Sequence, residues 1–146
     1  MKAIHRSALV PYSAEEMYAL VSDIESYGTF LPWCGGARIV ARDAESVTAA
    51  IDIAYSGVHK TFTTRNRLSP GRGMELQLVD GPFKFLHGDW RFEALEEWAC
   101  KVSLDMKFEF SNPLLGVVAG PVFSNIANGL VESFQRRAEE TYGKRS

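Results

Sequence analysis

Apolar residues recur along the chain with two periods, and the switch between them lays out the fold. Over Lys2–Val10 the small and apolar side chains alternate with polar ones, which predicts a first strand ending at Pro11. Ser13-Ala14-Glu15-Glu16 then opens a helix. The hydroxyl can accept a backbone N–H, and the acidic side chains complement the positive end of the helix dipole. Met17, Leu20, Val21 and Ile24 follow three and four residues apart, the spacing of a short amphipathic helix. Across residues 23–36 the period breaks. There Tyr27, Phe30, Leu31 and Trp33 crowd around Gly28, Pro32, Gly35 and Gly36, which predicts a short helix or turn carrying large side chains in an irregular segment.

A period of two returns from residue 37 and holds to residue 110. It predicts strands over 37–41, 47–55, 58–68, 74–78, 83–95 and 100–110. Ser69-Pro70-Gly71-Arg72-Gly73 and Asp80-Gly81-Pro82 have the composition of turns. Within 58–68 only Phe62 and the two end residues are strongly apolar. In 100–110 the pattern is clearest, with Cys100, Val102, Leu104, Met106, Phe108 and Phe110 on one face. Lys101, Ser103, Asp105, Lys107 and Glu109 take the other, as in an antiparallel strand with a wet side. Asn112-Pro113 then caps and starts a long helix, whose stripe runs through Val122, Phe123, Ile126, Leu130, Phe134 and Ala138. Pro121 is expected to kink that helix or to join two helical pieces, with Gly116 and Gly120 loosening the first.

The fold class is therefore α+β: a curved antiparallel sheet of about seven strands, covered on its apolar face by the C-terminal helix, with two short helices after strand 1. A strongly curved sheet and a single helix enclose more volume than side chains fill, so an elongated apolar cavity is expected between them.

Composition narrows the function. With 146 residues, 46% of them apolar and 23% charged, the chain reads as a single domain over residues 1–146. A net charge of −2 excludes a strongly cationic DNA binder. It leaves a local basic stripe of Lys60, Arg65 and Arg67, with His59 and Arg72 nearby, as a candidate RNA contact. Arg136, Arg137, Lys144 and Arg145 close the chain. Cys34 and Cys100 are too few for a disulfide scaffold and are expected reduced and buried. No secretory signal or apolar run of about 20 residues appears, so a cytoplasmic setting is expected. His5, His59 and His87 are scattered, and no nucleophile, phosphate-loop or metal motif is present. His87, Asp89 and Glu93 are the only acid/base candidates for a cyclase or hydrolase; no catalytic residue, no metal and no enzyme activity are expected.

Val10-Pro11-Tyr12-Ser13 through Asp23-Ile24-Glu25-Ser26-Tyr27, then Phe30-Leu31-Pro32-Trp33-Cys34, resemble the START-like, polyketide-cyclase-like group that holds the coenzyme-Q-binding proteins and the bacterial ribosome-association toxins (RatA). Asp80-Gly81-Pro82-Phe83, with Leu86, Gly88, Trp90 and Phe92, and the ending Phe134-Gln135-Arg136-Arg137-Ala138 belong to the same pattern. The resemblance implies a helix-grip (Bet v 1-like) fold. It implies either a ubiquinone-binding protein supporting respiration, with peripheral contact at the inner membrane, or a toxin that binds the large ribosomal subunit and blocks subunit association. For an isoprenoid quinone or similar apolar ligand, Tyr27, Phe30, Leu31 and Trp33 are the expected mouth. Phe83, Trp90, Phe92, Met106, Phe108, Ile126 and Leu130 are the expected deeper lining. An entrance bordered by residues 27–36 and 114–122 is expected, both more mobile than 100–110.

Overall fold

The computed structural model describes residues 2–145. Alternation becomes seven strands: β1 Lys2–Val10, β2 Cys34–Arg42, β3 Ser46–Tyr55, β4 Val58–Ser69, β5 Gly73–Asp80, β6 Phe83–Glu96 and β7 Ala99–Phe110. They form one antiparallel sheet in the order β1-β7-β6-β5-β4-β3-β2. The first strand thus pairs with the last, and the connection from β1 to β2 must cross to the far edge. That connection carries α1 (Ala14–Ser22), a 3-10 turn over Ile24–Ser26 and α2 (Tyr27–Phe30). The C-terminal helix α3 spans Pro113–Tyr142.

Local chemistry accounts for the element ends. Glu16 N–H donates to Ser13 Oγ at 3.0 Å while Glu16 Oε1 accepts from Ser13 N–H at 2.9 Å, a reciprocal capping box for α1. Asn112 Oδ1 accepts from the backbone N–H groups of Leu114 and Leu115 at 2.9 and 3.3 Å, capping α3. The β3–β4 hairpin turns on Ser56 and Gly57, both with positive φ, as a tight two-residue turn requires. A Cβ at Gly73 would lie 2.4 Å from the Trp90 carbonyl oxygen, so only glycine lets β5 start this close to β6.

Pro121 does not divide the last helix: α3 runs unbroken through it. The carbonyl left without its donor belongs to Val117, which stands on the exposed face, where water can satisfy it. By length and composition alone α3 could cross a membrane, with mean hydropathy 1.6 over its best window. Here it is the core helix. Phe123, Ile126, Ala127, Val131, Phe134 and Ala138 are buried, and the helix packs on β1, β7 and α1.

Two aromatic groups fill the ends of the space between sheet and helix. Phe123 lies 4.6 Å from Phe108 and 5.0 Å from Phe83, and Phe83 stacks on Phe110 at 4.6 Å. At the other end Phe134 meets Tyr27, Phe30 and Trp90 edge-on at 5.5, 5.4 and 5.5 Å.

Candidate functional site

Between these clusters a cavity of about 60 Å³ remains. Strands β3 to β7 contribute Ile51, Phe62, Thr64, Asn66, Met74, Leu76, Leu86, Trp90 and Met106. Helix α3 contributes Phe123, Ile126, Ala127, Leu130 and Phe134, and Tyr27 and Trp33 close the space from the β1–β2 connection. Nearly all of this lining is apolar and buried. Leu76 and Leu130 alone are half-buried, which puts the solvent side of the cavity between β5 and α3. Gly88 adds room next to it: a Cβ there would come within 3.0 Å of Leu76 Cδ1 and 3.4 Å of Met106 Cε.

Of the eleven expected lining residues, six border the cavity: Tyr27, Trp33, Trp90, Met106, Ile126 and Leu130. Five do not. Phe83 and Phe108 belong to the packed cluster around Phe123, in ring-to-ring contact away from the main cavity. Phe92 stacks behind Trp90 at 6.2 Å with its edge toward Tyr18. Phe30 lies between Phe134 and the Arg137 guanidinium, which sits 4.7 Å over its ring. Leu31 is fully buried at the end of α2, its N–H donating to the Tyr27 carbonyl. The two expected lips of the entrance border different spaces: Tyr27 and Trp33 line the main cavity. Ala119 and Val122 border a separate recess of about 10 Å³ with Phe83 and Phe110, not the main cavity. Residues missed from the sequence include Thr64 and Asn66, whose polar character hid their inward-facing positions.

Burial governs the titratable groups here. The Tyr27 hydroxyl donates to the Val21 carbonyl, and burial, reinforced by Asp23, pushes its pKa up. Cys100 is free and buried, its thiol pushed up to about 11 by burial; Cys34 is free and raised for the same reason. Neither thiol is a ready nucleophile at neutral pH. Among the described residues, no carboxylate, imidazole, ammonium or guanidinium lines the cavity, and no three His, Cys, Asp or Glu side chains gather as metal ligands.

The acid/base candidates lie outside. His87, Asp89 and Glu93 alternate with the buried Leu86, Gly88, Trp90 and Phe92, so they stand on the outer face of β6. There His87 faces Glu75 at 3.8 Å and Asp89 accepts from Arg91 at 3.0 Å. His5 pairs with Asp105 at 2.6 Å, and β7 separates it from His87.

The basic stripe is divided as well. Lys60 shares the parity of Phe62 and Val58, whereas Arg65 and Arg67 share the opposite face of β4. Lys60 borders the small recess, and Arg65 is paired to Asp43 at 3.2 Å. Arg67 lies with Arg72, Arg91, Glu75 and Asp89 around an open groove of about 320 Å³. The outer sheet face is thus a mixed-charge lattice rather than an electropositive band.

Residues 10–135 match the family described as polyketide cyclase / dehydrase and lipid transport. The ribosome association toxin RatA of Escherichia coli K12 is 47% identical over 145 residues, covering 99% of this chain and 92% of that protein. The mitochondrial coenzyme Q-binding protein COQ10 homolog B of Xenopus laevis is 24% identical, covering 94% and 58% of the two chains. Among solved structures, a START superfamily protein of Mycobacterium smegmatis superposes with a TM-score of 0.80 at 20% identity, over 94% and 97% of the chains. A Streptomyces aromatase/cyclase does so with a TM-score of 0.84 at 15% identity, over 97% and 95%. Both superpose over nearly the whole of this fold. The chain belongs to the polyketide cyclase / dehydrase and lipid transport family, in the branch that holds the ribosome association toxin RatA proteins.

Proposed function

We propose that this protein binds an apolar ligand of the isoprenoid quinone class, ubiquinone foremost, in the cavity between the sheet and α3, and so supports respiration without a chemical step of its own. The observation that carries this reading is the lining: almost wholly apolar, built around two aromatic clusters, and among the described residues without a carboxylate or imidazole. A name that includes coenzyme Q binding in a relative spanning 94% of the chain supports the ligand class. At about 60 Å³ the resting cavity is far below the roughly 300–1,000 Å³ of occupied ligand sites, so binding must spread Leu76 and Leu130 apart. Each buried methylene of a prenyl tail contributes about 0.8 kcal/mol toward that opening and toward the cost of association. Exposed Leu114, Val117 and Val118 at the start of α3 support peripheral contact with the inner membrane, where such a ligand resides. The test is lipid extraction of protein purified from its own host, followed by mass spectrometry and by uptake of added ubiquinone. A quinone recovered in stoichiometric amount is expected; neither co-purified quinone nor saturable uptake would overturn the reading.

A second reading concerns the outside of the same molecule: binding the large ribosomal subunit in the cytoplasm and hindering its association with the small one. What favours it is the 47% identity to a ribosome association toxin across nearly the whole chain. The two readings are compatible, since one uses the interior and the other the surface. Sucrose-gradient profiles after overexpression are expected to show more free subunits and fewer assembled ribosomes; an unchanged profile rejects it.

A further inference from the structure

Two polar side chains interrupt the apolar wall of the cavity, and both stand on one strand. β4 turns Val58, Phe62, Thr64 and Asn66 inward. The ladder neighbours are apolar: Ala49 and Leu78 beside Thr64, Val47 and Leu76 beside Asn66. Thr64 is 2% exposed and Asn66 1%. The Thr64 hydroxyl donates to Asn66 Oδ1 at 2.7 Å. A carboxamide also carries two N–H donors, and Asn66 Nδ2 makes no hydrogen bond with any described residue. Asn66 thus lines the cavity with donor capacity unused, where a β-branched or aliphatic residue would suit this strand face better. Apolar packing alone therefore does not account for the pair.

We propose that Asn66, oriented by Thr64, is the polar recognition point of the cavity, its Nδ2 donating to a carbonyl oxygen on the head of an otherwise apolar ligand. This inference rests on the ligand reading above and narrows it. Among the described residues no cation lines the cavity to neutralise a carboxylate, so a fatty acid anion is disfavoured and a neutral ring ketone fits. A plain hydrocarbon would leave the amide unfilled. Asn66 pairs across the ladder with Leu76, one of the two half-buried lining residues, so the ligand's head is held at the solvent side.

The test compares 2-decyl-1,4-naphthoquinone with 2-decylnaphthalene, two probes matched in ring and tail that differ in the carbonyl oxygens. Binding to the full-length protein is measured by equilibrium dialysis, with quenching of Trp33 and Trp90 as a second readout. The unmodified protein is expected to prefer the quinone by about tenfold, the scale of one hydrogen bond. Asn66→Leu should erase the preference, keep decylnaphthalene binding and leave the thermal midpoint equal or higher. Thr64→Val, which frees Asn66 to reorient, should reduce the preference part-way and covers the case in which the first variant does not fold. A preference that survives both substitutions, or that is absent from the unmodified protein, overturns the assignment of Asn66 while leaving apolar ligand binding intact. Failure of both probes to bind overturns the ligand reading together with this one.

Discussion

Arg145 holds Glu16 with two hydrogen bonds, 2.7 Å from Nη1 to Oε1 and 3.0 Å from Nη2 to Oε2, across 129 residues of chain. Glu16 also caps α1, so one carboxylate joins the start of the first helix to the end of the chain. Around it the Tyr12 hydroxyl donates to the Gly143 carbonyl at 2.7 Å and the Tyr142 hydroxyl to the Glu16 carbonyl at 3.0 Å. The Arg145 guanidinium lies 4.9 Å over the Tyr12 ring.

Hydrogen bonds from Arg145 first, then from Ser13, hold the Glu16 carboxyl at about 2 against an ordinary 4.5. A carboxylate depressed on folding contributes stability that is present above about 4.5 and is lost as pH falls through about 2. Arg145→Ala should return the carboxyl toward its ordinary range and start acid unfolding at a higher pH. Circular dichroism during an acid titration checks this; superimposable curves for the two proteins would show that the pair contributes nothing.

Phe123 is the hub of its cluster, within 6.2 Å of Phe62, Phe83, Phe108 and Phe110 by ring centroid. Phe123→Ala should cost about 3–5 kcal/mol of unfolding free energy, as truncated core aromatics do. Urea unfolding gives the number. A loss below about 1 kcal/mol would mean that the neighbouring rings collapse into the gap.

What was legible in the sequence, and what was not, follows from the range of each signal. Strands, caps and α3 are written in local periodicity and in Ser13, Glu16 and Asn112, so they could be read without tertiary context. Alternation identifies a face but not a position along a curved sheet. Met106 and Phe108 are two residues apart on the same face of β7, yet Met106 borders the cavity and Phe108 packs into Phe123. Counting parity more strictly would have placed Lys60 opposite Arg65, and Thr64 and Asn66 inside. The entrance depends on how α3 lies over the sheet, which no local pattern encodes.

Gly88 keeps open the space that a ligand needs. Gly88→Val suits a strand by propensity, but its side chain must push against Leu76 and Met106. Uptake of 2-decyl-1,4-naphthoquinone should fall at least tenfold while the thermal midpoint moves by only a few degrees. Undiminished uptake would place the ligand elsewhere.

Arg67, Arg72 and Arg91 gather around one open groove together with Glu75 and Asp89. If this face meets ribosomal RNA, Arg67→Glu together with Arg72→Glu should weaken co-sedimentation with the large subunit, and rising salt should weaken the unmodified protein likewise. The core is untouched, so quinone uptake should stay the same. Ribosome binding that ignores both charge reversal and salt would exclude this face.

Leu76 on β5 and Leu130 on α3 stand on either side of the cavity's solvent edge, and both are half-buried. A bulkier group at this edge should obstruct passage without straining the core, because part of it can remain in water. Leu130→Trp is therefore expected to slow association and dissociation of 2-decyl-1,4-naphthoquinone by a similar factor, leaving affinity and stability nearly unchanged. Trp33→Ala acts from the other wall. Trp33 lines the cavity and is buried, so its truncation should enlarge the space and lower stability toward the small end of the about 3–5 kcal/mol range for buried aromatics. Stopped-flow quenching separates the two variants. Slowing by Leu130→Trp but not by Trp33→Ala locates the entrance between β5 and α3; the opposite result returns it to the segment before β2.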